Sequence, residues 1–167
     1  MAAILRKSGS QFCGGVLITD RHVLTAAHCV VQFTKNEIKV RLGEYNFDTP
    51  DENNPTDFGV EEIRSHVNYD SATQENDIAI IKIDRPSSFS DFIWPACLPP
   101  PDNDFEGLLG FVTGWGTIYF GGPVSERLLE VVLPIWNQSE CMAVYPENKV
   151  TENMMCAGLR EGGKDSC

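Results

Sequence analysis

Asn76-Asp77-Ile78-Ala79-Ile80-Ile81-Lys82-Ile83 is the stretch that decides the fold class. Ile78 to Ile81 is apolar without a break, short and mostly β-branched, and reads as a strand buried in a core. Asp77 stands at its mouth, where a partly desolvated carboxylate needs a strong hydrogen-bond donor. A histidine N–H would serve, and a strand-capping Asp in a turn is the plain alternative. Working outward, Gly15-Val16-Leu17-Ile18 is a second short apolar run. Ile38-Lys39-Val40-Arg41-Leu42 alternates apolar and basic residues, as a strand with one buried face does. Leu108 to Thr113 and Leu128 to Ile135 read as strands of a second half, with Gly114-Trp115-Gly116 and Gly121-Gly122-Pro123 as turns between them. Phe89 to Gly107 carries Pro95, Pro99, Pro100 and Pro101 and cannot be regular throughout, so it makes a natural connector. The rhythm is that of a strand-rich chain in two halves, with no long helix, fixed-period repeat or low-complexity tract.

The 167 residues suffice for one good core or two small ones, and a hydrophobic content of 42% is ordinary for a globular protein. With 13 basic against 24 acidic residues the formal charge is −11. Phosphate backbones and anionic lipid repel a chain of that sign, so neither nucleic acid nor a membrane is an expected partner. No apolar run approaches the roughly 20 residues needed to span a bilayer. Six cysteines without a Cys-x-x-Cys pair point to disulfides and an oxidising, extracellular setting. Yet Met1 to Lys7 has the wrong order for a signal peptide, its short apolar run ending in two cations.

Thr25-Ala26-Ala27-His28-Cys29 follows an apolar strand and the polar turn Asp20-Arg21-His22. Its small neighbours leave the His28 imidazole accessible, for a structural or a chemical role. A zinc site of Cys13, His28 and Cys29 is disfavoured, because adjacent His and Cys rarely converge on one ion. Asn137-Gln138-Ser139 is a valid glycosylation acceptor just beyond a strand.

Taken in order, Cys13-Gly14-Gly15-Val16-Leu17-Ile18, Leu24-Thr25-Ala26-Ala27-His28-Cys29, Asn76-Asp77-Ile78-Ala79 and Val112-Thr113-Gly114-Trp115-Gly116 resemble the signatures of the chymotrypsin and trypsin family of serine proteases, over essentially the whole chain. The resemblance implies an all-β fold of two antiparallel Greek-key β-barrels, the second incomplete. The first barrel would span residues 1–88, the linker 89–107 and the partial second barrel 108–167. It implies that His28 is the general base and Asp77 its orienter. Asp165, two residues before Cys167, would lie at the floor of the primary specificity pocket and select Arg or Lys before the scissile bond.

The same resemblance implies disulfides Cys13–Cys29 and Cys141–Cys156, leaves Cys167 unpaired, and matches Cys97 to a cysteine that tethers an N-terminal pro-region. It brings Glu44 and Asn46 onto a calcium-binding loop, in a stretch where Asp48, Asp51, Glu52 and Asp57 also read as a solvated acidic loop. No cofactor is required, and calcium is the one metal to consider. Expected partners are protein substrates with Arg or Lys before the cleaved bond, a disulfide-linked pro-region, and serpin- or Kunitz-type inhibitors. Cys97 together with Asp165 leans toward a cascade protease.

The sequence departs from the family at the third catalytic member. No Gly-Asp-Ser-Gly-Gly-Pro is present, and Ser166, followed only by Cys167, is not the nucleophile. The Ile-Val-Gly-Gly start of family members is absent as well, while Ala2-Ala3-Ile4-Leu5 resembles the strand just after it. The expectation is therefore a secreted trypsin-like endopeptidase truncated at both ends, inactive as given. The alternative is a non-catalytic homologue acting as a binding or regulatory protein.

Overall fold

The computed structural model describes residues 1–49, 53–101, 103–145 and 149–163. The chain divides into two compact units, Met1–Leu98 and Pro99–Cys167.

In the first unit the short apolar runs become strands β1 (Ala2–Arg6), β2 (Gln11–Leu17), β3 (His22–Thr25), β4 (Ile38–Leu42), β5 (Thr56–Phe58), β6 (Val60–Ser65) and β7 (Ala79–Ile83), with one helical turn, α1 (Ala27–Val30), after β3. They form one curled antiparallel sheet in the order β5-β4-β1-β2-β3-β7-β6. Curling wraps the sheet around a single core of Ile4, Leu17, Val23, Val40, Leu42 and Ile81. β1 lies between β2 and β4, and its residues Ala2 to Leu5 are all buried. Gly15 is required where β2 crosses toward β3, since a Cβ there would meet Val23 Cγ1 at 2.7 Å and the Leu24 carbonyl at 2.9 Å. The proline-rich stretch after β7 stays with this unit through residue 98. Ala96 N–H donates to the Leu17 carbonyl, and Ile93 packs onto the core.

The alternation read for Ile38 to Leu42 is present, with Ile38, Val40 and Leu42 buried. The reading of Ile78 to Ile81 as a fully buried strand needs correction. Ala79, Ile81 and Ile83 face the core, whereas Ile78 and Ile80 are 44% and 37% exposed. A curled sheet has one inner face, and pairing with Leu24 and Arg64 places Ile80 on the outer one.

In the second unit β8 (Leu109–Gly114) pairs with β9 (Leu129–Pro134) in unbroken antiparallel register, and the connection narrows at a Thr117–Val124 bridge. A short helix, α2 (Gln138–Val144), follows, and Trp115, Leu133 and Cys141 are buried. The fold is mostly β, a curled half-barrel sheet plus a small second sheet, as the sequence led us to expect.

Candidate active site

The position of His28 follows from its neighbours. Ala26 has an extended backbone and Ala27 starts α1, so the chain turns as it leaves β3. Ala27 is buried, and Cys29 is buried and bonded to Cys13 on β2. The two inward residues leave the imidazole between them facing out, with 53% of its side chain exposed. Asp77 arrives from the adjacent strand, because β3 pairs with β7 with Thr25 opposite Ala79. That register carries the residues just beyond β3 alongside those just before β7.

There, both carboxylate oxygens of Asp77 are used by one residue. The backbone N–H of His28 donates to Oδ1 at 2.8 Å, and His28 Nδ1 lies 2.6 Å from Oδ2. With the proton on Nδ1, the lone pair sits on Nε2, which lies 3.5 Å from Cys29 Sγ. The approach to Asp77 is fixed by Asn76, whose backbone is left-handed (φ 56°) and whose Nδ2 donates to the Asn68 carbonyl at 3.1 Å. Of the other histidines, His22 Nδ1 pairs with Thr19 Oγ1 and His66 Nδ1 accepts from the Asn68 amide.

Among the described residues the one grouping of three metal-ligand types within reach of each other is Cys13, His28 and Cys29. The two sulfurs are bonded to one another, so neither is a thiolate, and the group is not a zinc site.

Glu44 and Asn46 lie in the β4–β5 connection, both buried, and Glu44 is paired with Arg41. Cys97 is a free, exposed cysteine. In the second unit Cys141 bonds to Cys156. Asn137 is the N-cap of α2. Its Oδ1 accepts from the Ser139 and Glu140 amides, and its Nδ2 donates to Glu106 Oε1 at 2.6 Å. Asp165 and Cys167, like Asp51 and Glu52, lie outside the described residues. The segment leading toward Asp165 is well anchored as far as Arg160. Ala157 bridges Ile135, Trp136 Nε1 donates to the Gly158 carbonyl at 2.8 Å, and the Arg160 guanidinium covers the Trp136 ring and pairs with Glu140.

Sequence reasoning missed several of these partners. Arg160–Glu140 is a pairing 20 residues apart, with no local signature. The cap of α2 did carry one, an Asn followed three residues later by Glu, which is the mark of a helix start.

A curled antiparallel sheet that brings a histidine ring and a carboxylate together at its rim has the form of the chymotrypsin-like serine proteases. The family model for trypsin matches residues 1–167, and the chain belongs to that family. Among its relatives are the proclotting enzyme of Tachypleus tridentatus, 42% identical over 181 residues that cover 100% of this chain and 48% of that protein. The venom protease of Bombus pensylvanicus is 38% identical over 167 residues, covering 97% of this chain and 67% of that protein. The anionic trypsin of Canis lupus familiaris is 41% identical over 161 residues, covering 96% of this chain and 62% of that protein. The chain spans about half the length of the first two relatives it matches, 48% and 45%. It is thus homologous to trypsin-like serine endopeptidases.

Proposed function

We propose that this chain supplies the proton-transfer half of a secreted serine endopeptidase that cleaves after Arg or Lys. His28 is the general base, taking the proton of a serine hydroxyl on Nε2 and later delivering it to the leaving amine. Asp77 holds the Nδ1–H tautomer and stabilises the imidazolium that forms during attack. Asp165 gives the substrate's basic side chain its counter-charge. The observation that carries this reading is the double hold of Asp77 on His28, at 2.8 and 2.6 Å. A carboxylate gripping both the main chain and the ring leaves the imidazole one orientation and one free nitrogen.

The two disulfides support an extracellular setting. The exposed Cys97 thiol supports attachment of a further segment. The 167 residues contain no Gly-Asp-Ser-Gly-Gly-Pro, so by themselves they are expected to turn over no arginine amide.

Sequencing the transcript past the codon for Cys167, and assaying the complete product on arginine and lysine amides, tests the proposal. We expect the serine motif in frame. We expect His28→Ala to lower kcat by at least about 10^4-fold, and Asp165→Ala to abolish the preference for basic residues. A stop codon in place of the motif would instead favour the non-catalytic homologue. Undiminished turnover in His28→Ala would remove the base from the scheme.

A further inference from the structure

The Glu44 side chain is wholly shut off from solvent, and with Asn46 it occupies the place where resemblance to the family suggests calcium. Calcium takes about six to eight oxygen ligands converging on one point. A loop shaped for such an ion, described without it, holds buried oxygens that no donor faces. Among the described residues this loop holds no such side-chain oxygen. Glu44 Oε2 accepts from Arg41 Nη1 at 3.1 Å, and Oε1 accepts from the Tyr45 amide at 2.9 Å. Asn46 Oδ1 accepts from the Asp48 amide at 3.2 Å, and the Asn46 carbonyl from the Thr49 amide at 3.0 Å. Among the described residues every buried side-chain nitrogen or oxygen has a partner, and no other Asp, Glu or His gathers with Glu44 into a metal-sized group. The described donor set does not fit calcium, and a guanidinium in contact with Glu44 would repel a dication placed there.

Arg41 also reaches the far end of the same loop. Its Nε donates to Asp57 Oδ1 at 2.6 Å and its Nη2 to Oδ2 at 3.2 Å, a two-pronged grip on the residue directly opposite it across β4 and β5. Lys39 Nζ adds a second cation on Oδ2 at 2.7 Å. Gly43, in a left-handed conformation (φ 77°), turns the chain from β4 so that Glu44 comes back under the guanidinium.

We infer that Arg41 is the built-in cation of the β4–β5 connection, its guanidinium joining Glu44 to Asp57 in place of a metal ion. Two measurements on the 167-residue chain test this. The first compares melting midpoint and amide hydrogen exchange in 1 mM calcium and in EDTA. A site of about 0.1 mM affinity would raise the folded-to-unfolded ratio about tenfold and the midpoint by roughly 3–6 °C. We expect no shift and unchanged exchange at Tyr45, Asp48 and Thr49. The second is Arg41→Gln, expected to speed exchange of those amides by about tenfold or more while leaving β2 and β3 unaffected. Arg41→Lys, which keeps the charge but loses the fork, should fall between. A calcium-dependent rise in the unaltered chain overturns the inference, as does unchanged exchange in Arg41→Gln. The calcium arm needs no mutation and stands if a variant misfolds.

Discussion

Replacing Asp77 by Asn would test the histidine–carboxylate pair without any need for turnover. Aspartate offers two acceptors to His28, at 2.8 Å to the main-chain N–H and 2.6 Å to Nδ1. Asparagine offers one acceptor and one donor. If its oxygen faced Nδ1–H, its NH2 would be driven against the His28 amide, leaving two donors opposed. If its oxygen keeps the amide, the NH2 faces Nδ1, and both contacts survive provided the ring proton moves to Nε2. A neutral imidazole exchanges tautomers at far lower cost than two opposed donors can be held together, so the second arrangement wins. Hydrogen bonds to charged groups are worth about 1.5–3 kcal/mol each. The side chains here are 53% and 23% exposed, and solvent screens part of that. We therefore expect Asp77→Asn to cost about 1 kcal/mol, lowering the melting midpoint by roughly 2–4 °C, and Asp77→Ala about twice as much. Long-range 15N–1H correlation spectra read the tautomer directly. The unaltered chain should show protonated Nδ1 and bare Nε2 at His28, Asp77→Asn the reverse, with His22 and His66 unchanged as internal controls. An Nδ1–H tautomer persisting in Asp77→Asn would refute the assignment of Asp77 as the group that fixes the ring.

Removing the Cys13–Cys29 bridge by paired alanine substitution opens a 16-residue separation and should cost about 3 kcal/mol, read as a lowered urea midpoint with a steeper slope, because the unfolded chain loses a cross-link and exposes more surface. Ile81→Ala should cost about 2–5 kcal/mol and Ile80→Ala well under half of that, because one faces the core and the other is 37% exposed; equal costs would contradict the inner and outer faces assigned to β7. The bond from Arg41, joined by Lys39, holds the Asp57 carboxyl below its ordinary range against the opposing effect of burial. Its contribution is therefore fully present above the unfolded carboxylate pKa of about 3.9 and is lost as pH falls through the lower folded value. Comparing the unaltered chain with Asp57→Asn, we expect a stability gap of about 1 kcal/mol at neutral pH that closes as the pH falls below about 4. A gap that widened on acidification would reverse the sign of this pairing.

What was legible in the sequence was what short-range chemistry controls. The alternation of Ile38 to Leu42 specified a one-faced strand because period two has a single structural reading. The unbroken run Ile78 to Ile81 misled because composition reports how apolar a strand is, not how many faces its sheet presents. Ile80 is outward on account of the sheet's curl, a property of seven strands together. The lone turn of α1 and the strand β6 escaped for a related reason. α1 is only four residues long, and β6 (Val60–Ser65) includes Glu61, Glu62 and Arg64, so neither stands out as an apolar run.

The site divides along the same line. His28 and Asp77 were recognisable because each sits in a motif whose neighbours have local duties. Small Ala27 must be buried, Cys29 must reach Cys13, and Asn76 must take a left-handed turn. Their meeting is not local, since 49 residues separate them. It depends on Thr25 lying opposite Ala79 across β3 and β7, and in an antiparallel pair that register is set by which side chains face inward. A slip of one residue would turn Val23 and Ile81 outward and at the same time draw the carboxylate away from the imidazole. The burial that stabilises the first sheet thus also fixes the geometry of the pair.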